Sequence, residues 1–193
     1  MVGSFCFALG SLPLYFDHVD AEIVAWTFFV GSIFFTSAAS LQFQQVFAVR
    51  PRSADWWAAA VQLVGTVFFN ISTFAATRHG FSVEEEKRLI WAPDVYGSIC
   101  FLIASWIAYV VLPRHWDFRE QSKSWWIAAL NMLGSVAFGV SAVAARYLST
   151  TGEPANITLV NLGTFAGAVC FFVGAALLPF ESDRDTAPQA APA

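Results

Sequence analysis

The charged residues of this chain are bunched into short connectors, and the stretches between them are apolar over lengths that suit a bilayer. Six such runs can be drawn, at 2–16, 21–48, 55–77, 94–112, 124–148 and 156–179. Hydrocarbon supplies no partner for backbone N–H and C=O groups, so each run must satisfy its own, and the expected element is a helix in every case. Only 12% of the residues are charged and 57% are hydrophobic. Soluble domains carry about 25% charged residues, so a water-soluble fold is excluded. The expectation is an all-α polytopic membrane protein with six transmembrane helices. It would form one bundle over 1–180, followed by a disordered cytoplasmic tail over 181–193, where the sequence turns polar and Pro/Ala-rich. The expected partner is the lipid bilayer, not nucleic acid.

The first run is short for a span of about 20 residues. It is either a thinly matched helix, or the natural start lies upstream of Met1. It lacks the Lys or Arg of a signal-peptide n-region. Pro51 and Pro113 mark the ends of the second and fourth runs. In the longest connector, 78–93, Ser82 and Glu85 fit a capping box. That stretch is either a short amphipathic helix on the membrane surface or a solvated loop. Asp94, following Pro93, looks like a helix N-cap. The Lys/Arg bias favours both termini in the cytoplasm. Arg50, Arg52, Arg114, Arg119, Lys123 and Arg184 then lie inside, and Arg78, Lys87, Arg88 and Arg146 outside.

Residues 56–76 recur as 125–145 at an offset of 69, with ten of the 21 aligned positions identical. Residues 97–105 recur as 167–175 at an offset of 70. Tandem two-helix hairpins at 55–112 and 124–179 are therefore expected, related by an axis near the membrane normal. A third hairpin over 2–48 carries the same two motifs in reversed order: Gly3-Ser4-Phe5-Cys6-Phe7 comes before Gly31-Ser32-Ile33-Phe34-Phe35.

Helices in lipid are held by close approach at small residues. Gly31, Gly65, Gly97, Gly134, Gly163, Gly167 and Gly174 are the expected helix-packing positions, with Gly163 and Gly167 forming a GxxxG. They serve either packing within the chain, the favoured reading, or a seam to a homo-oligomer or another membrane protein. Gln62, Asn70, Asn131 and Asn161 are the candidate intramembrane polar positions, suited to interhelical hydrogen bonds or to lining a polar solute path. The Trp pairs Trp56-Trp57 and Trp125-Trp126 fit an interfacial belt. Trp106, at mid-helix, is expected against a neighbouring helix or a cavity. Cys6, Cys100 and Cys170 fall in apolar runs with no local base, so they read as small buried hydrophobes. His18 and His79 lack metal-ligand spacing. No catalytic, cofactor-binding or metal-binding constellation is found, and no ionisable group lies at the centre of a run.

The patterns Trp26-x-x-Phe29-Val30-Gly31-Ser32, Pro93-Asp94-x-x-Gly97-Ser98-x-x-Phe101 and Gly163-Thr164-x-x-Gly167 with Phe172-Val173-Gly174 resemble YrhK-like membrane proteins. The resemblance covers most of 21–180 and implies a bacterial plasma-membrane location. It brings no activity, substrate or catalytic residue with it. The expectation is a non-enzymatic structural, accessory or sensing bundle. The alternative is a small-solute transporter or channel without a proton relay.

Overall fold

The computed structural model describes residues 1–112, 122–148 and 153–180. The tail over 181–193, and Arg114, Arg119 and Arg184, lie outside the described residues. Among the described residues there are eight α-helices: α1 Val2–Gly10, α2 Pro13–Phe16, α3 Ala21–Val49, α4 Ala54–Ala76, α5 Val83–Glu86, α6 Ala92–Val110, α7 Lys123–Ala144 and α8 Ile157–Leu177. A π-turn, Lys87–Trp91, joins α5 to α6, and a 3₁₀ turn, Leu178–Phe180, follows α8. Among the described residues there is no strand; one isolated bridge pairs Tyr147 with Pro154.

Among the described residues five helices are long and apolar enough to cross a membrane: Ala21–Val49, Ala54–Ala76, Val83–Val110, Lys123–Ala144 and Ile157–Phe180. The protein is thus an integral membrane protein. The run at 2–16, expected as a sixth span, is not among them. Pro13 forces Leu12 into an extended conformation (φ −82, ψ 130) and divides the run into helices of nine and four residues. At 1.5 Å per residue α1 is about 14 Å long, under half of an approximately 30 Å hydrocarbon core.

The connector at 78–93 also departs from expectation. The capping box forms, with Ser82 Oγ accepting from the Glu85 amide and the Glu85 carboxylate accepting from the Ser82 amide. The helix it starts does not stop at the membrane surface but continues to Val110. Proline cannot donate to the i−4 carbonyl and crowds it. Here the ladder widens one turn earlier, where the Ala92 amide donates to the Lys87 carbonyl five residues back, and Pro93 is taken into the helix. Asp94 is therefore not an N-cap; it lies inside a continuous helix. Ser53 and Ser122, again 69 residues apart, cap α4 and α7 by accepting from the amides of Trp56 and Trp125.

The helices close a ring in chain order: α1 packs on α3, α3 on α4, α4 on α6, α6 on α7, α7 on α8, and α8 on α1. Each of the six carries Gly, a small residue, two variable residues and Phe, at 3–7, 31–35, 65–69, 97–101, 134–138 and 167–171. The glycines face each other in pairs. A Cβ added at Gly31 would lie 2.8 Å from Cys6 Cβ and 3.1 Å from the Gly3 carbonyl oxygen, and one at Gly65 would meet Cys100 Cβ and the Gly97 carbonyl at the same distances. At Gly134 the corresponding neighbours are Cys170 Cβ at 3.2 Å and the Gly167 carbonyl at 3.1 Å. The residue after each glycine (Ser4, Ser32, Thr66, Ser98, Ser135, Ala168) is buried.

The six phenylalanines meet on the bundle axis in two triangles. Phe7, Phe69 and Phe138 have centroids 5.9 to 6.4 Å apart. Phe35, Phe101 and Phe171 are 5.6 to 6.3 Å apart. Three further contacts of 5.1 to 5.3 Å join the triangles, Phe7 to Phe35, Phe69 to Phe101 and Phe138 to Phe171. Most pairs are edge-to-face or tilted, the geometry aromatic quadrupoles favour.

Candidate functional site

Next to the Phe7–Phe69–Phe138 triangle lies a partly open cavity of about 240 Å³. It is formed where α4 and α7 end and where α6 and α8 begin. The triangle makes its floor, and Phe28, Trp91 and Tyr147 stand in its walls. Polar lining comes from Ser72 and Thr73 of α4, Asp94 and Ser98 of α6, Ser141 of α7 and Thr164 of α8. The residues are brought together by helix period: Asp94 and Ser98 are one turn apart on one face of α6. The π-turn sets that face, because it shifts the register of everything after Trp91 relative to the capped start at Ser82.

Three of the hydroxyls are already committed as donors. Ser72 donates to the Ile90 carbonyl at 2.8 Å, Thr73 to the Phe69 carbonyl at 2.7 Å and Ser141 to the Val160 carbonyl at 2.9 Å. Ser141 also pairs with Thr164, and Thr73 with Ser32 on α3. Two polar groups of α6 remain unengaged. Ser98 Oγ is buried without a hydrogen-bond partner. The Asp94 carboxylate forms no hydrogen bond or ion pair with any described residue. Tyr147, beyond the end of α7, has its phenol held above its ordinary pKa, first by burial and then by the nearby Glu86 carboxylate.

The polar positions singled out from sequence do not converge here. Asn70 reaches across to α3 and donates to Thr36 Oγ1 at 2.8 Å, leaving its own carbonyl oxygen buried and unpartnered. Gln62, Asn131 and Asn161 are half-buried, and their side chains make no hydrogen bond to a described residue, so these amides are not interhelical bonds. The backbone carbonyl of Asn131 does accept, from Ser105 and Ser135, whose hydroxyls are 2.8 Å apart across α6 and α7. Gly31, Gly65, Gly97, Gly134, Gly163, Gly167 and Gly174 are all buried and all pack within the chain. Trp106, expected against protein, is 53% exposed on the outer surface of α6. The cysteines are free. His79 lies 3.9 Å from Glu22, both well exposed. Among the described residues no three His, Cys, Asp or Glu cluster as metal ligands.

Sequence reasoning missed the cavity because its residues come from four helices. The signal available was Asp94 itself, once helix 83–110 is drawn as continuous and the carboxylate falls well inside it. No family model matches the chain, and neither does any curated protein or solved structure.

Proposed function

We propose that this protein is a non-enzymatic bundle of the bacterial plasma membrane, of YrhK-like type, that senses or supports and passes no solute. Its plan is three two-helix hairpins, α1 with α3, α4 with α6 and α7 with α8, with the C-terminus in the cytoplasm. The recurrence of Gly-small-x-x-Phe on six helices, and the Gly-to-Gly approach inside each pair, support the hairpin plan. The observation that carries the functional reading is the phenylalanine layer. Six side chains occupy the axis, and the cavity above them ends on three of those rings. A conducting path needs continuous polar lining or a wettable constriction, and this layer offers neither.

The cavity favours one second reading, a transporter in which the phenylalanine layer parts during a cycle. Vesicles distinguish the two. Purified protein reconstituted with a trapped fluorescent solute, or with a potassium gradient under valinomycin-free conditions, should release no more than protein-free vesicles. Protein-dependent release that saturates with solute would overturn the sensing or accessory reading.

A further inference from the structure

We propose that the cavity is a binding site for a small organic ammonium ion, with Asp94 as its counter-charge and the aromatic walls as its seat. This names the ligand class of the sensing bundle, and so rests on that reading. The first argument is charge. Among the described residues Asp94 is the one carboxylate lining the cavity, and no described cation pairs with it; Arg78, Lys87, Arg88 and Arg146 are absent from the lining. A half-buried carboxylate that faces no cation is stabilised in its charged form when a counter-charge enters the cavity.

The second argument is hydrogen-bond direction. Ser72, Thr73 and Ser141 give their protons to backbone carbonyls, so toward the cavity their oxygens offer lone pairs. Acceptors and a carboxylate repel an anion and welcome a donor-bearing cation. The third argument is the wall. Phe7, Phe28, Phe69, Phe138, Trp91 and Tyr147 present ring surface, which attracts a weakly hydrated organic cation. A volume of about 240 Å³ is below the range of drug-sized sites, so the ligand is small. Among the described residues no three His, Cys, Asp or Glu side chains gather as ligands for an inorganic cation, and the rings supply no oxygen.

The test uses the full chain in a non-ionic maltoside detergent, with choline as the probe and 3,3-dimethylbutan-1-ol, its uncharged carbon isostere, as the control. Calorimetric titration should show saturable choline binding at least tenfold tighter than that of the isostere. Asp94→Asn, with an unchanged melting curve, should abolish that preference. The choline–isostere comparison in the unaltered protein stands even if the variant does not fold. Absence of saturable binding, equal binding of the isostere, equal displacement of choline by sodium, or full retention of the preference in a folded Asp94→Asn would each overturn the proposal. None of these results depends on solute release, so the sealed axis is tested separately. The ammonium can be free or part of a lipid headgroup. Phosphatidylglycerol vesicles with and without phosphatidylethanolamine separate the two: weaker choline binding in the vesicles that contain phosphatidylethanolamine assigns the headgroup, and unchanged binding assigns a soluble amine.

Discussion

Gly167 and Gly139 lie on facing helices, and the same added methyl group should act oppositely at the two. At Gly167 a Cβ would lie 2.3 Å from Phe138 Cδ1 and 2.9 Å from the Gly134 carbonyl oxygen. Phe138 is buried among three other rings, Phe7, Phe69 and Phe171, and has nowhere to turn. Overpacking of this kind costs about 1–3 kcal/mol, so Gly167→Ala should lower the unfolding midpoint in detergent. At Gly139 nothing lies within 4 Å of the added atom. Gly139→Ala should then be neutral or stabilising by about 0.5–1 kcal/mol, since Ala loses less backbone entropy in a helix. A drop at Gly139 as large as that at Gly167 would contradict the packing described. The cysteines follow the same logic. Cys6 and Cys100 touch the opposing helix through Cβ, which Ala keeps, so replacing Cys6, Cys100 and Cys170 together by Ala should leave folding and detergent stability nearly intact. The importance of the glycines was legible from sequence because lipid-embedded helices need small residues to approach. The lack of hydrogen bonds at Gln62 and Asn131 was not, since an amide's partner depends on helix rotation, which a shared offset does not fix.

At the scale of elements, the boundaries set by proline show where sequence reasoning holds and where it fails. Pro13 follows an extended Leu12 and ends α1, as the restriction on the preceding residue demands. Pro93 has the same chemistry and does the opposite, because the π-turn over Lys87–Trp91 removes the clash before the ring arrives. No residue pattern in KRLIW announces a π-turn, so the 28-residue helix was divided into a surface segment and a span. The caps were more legible. Ser82 with Glu85 follows the capping-box spacing, whereas Ser53 and Ser122 escaped notice although Ser-x-x-Trp occurs at both. Ser53→Ala and Ser122→Ala should each cost about 0.5–2 kcal/mol. Hydrogen exchange should localise the loss to the first turns of α4 and α7, at the amides of Trp56 and Trp125. Uniform exchange across all helices would mean that the caps act on the whole bundle instead.

For the molecule as a whole, the reversed order of motifs in 2–48 is resolved by the ring. The Gly-Ser-x-x-Phe and Gly-x-x-Cys-Phe patterns are one pattern, Gly-small-x-x-Phe, placed once on every ring helix. Order within a pair therefore does not matter, and the two triangles form from alternate helices: α1, α4 and α7 supply one, and α3, α6 and α8 the other. What sequence could not give was that the six rings converge, because that requires the ring to close between α8 and the short α1. Phe101 is nearly fully buried and touches Phe35, Phe69 and Phe171. Phe101→Ala should cost about 3–5 kcal/mol in unfolding free energy. The same layer decides proton movement. A relay needs ionisable side chains at depth on both sides of any barrier. Asp94 lies on the cavity side. Beyond the rings, residues 36–49, 56–68, 102–112, 124–137 and 172–180 contain no Asp, Glu, His, Lys or Arg. Protons reaching Asp94 thus have no onward acceptor. Vesicles holding a pH-sensitive dye should show no protein-dependent acidification under an imposed pH gradient, and Asp94→Asn should change nothing in that assay. A proton flux that vanished with Asp94→Asn would show that water or a moving element bridges the phenylalanine layer.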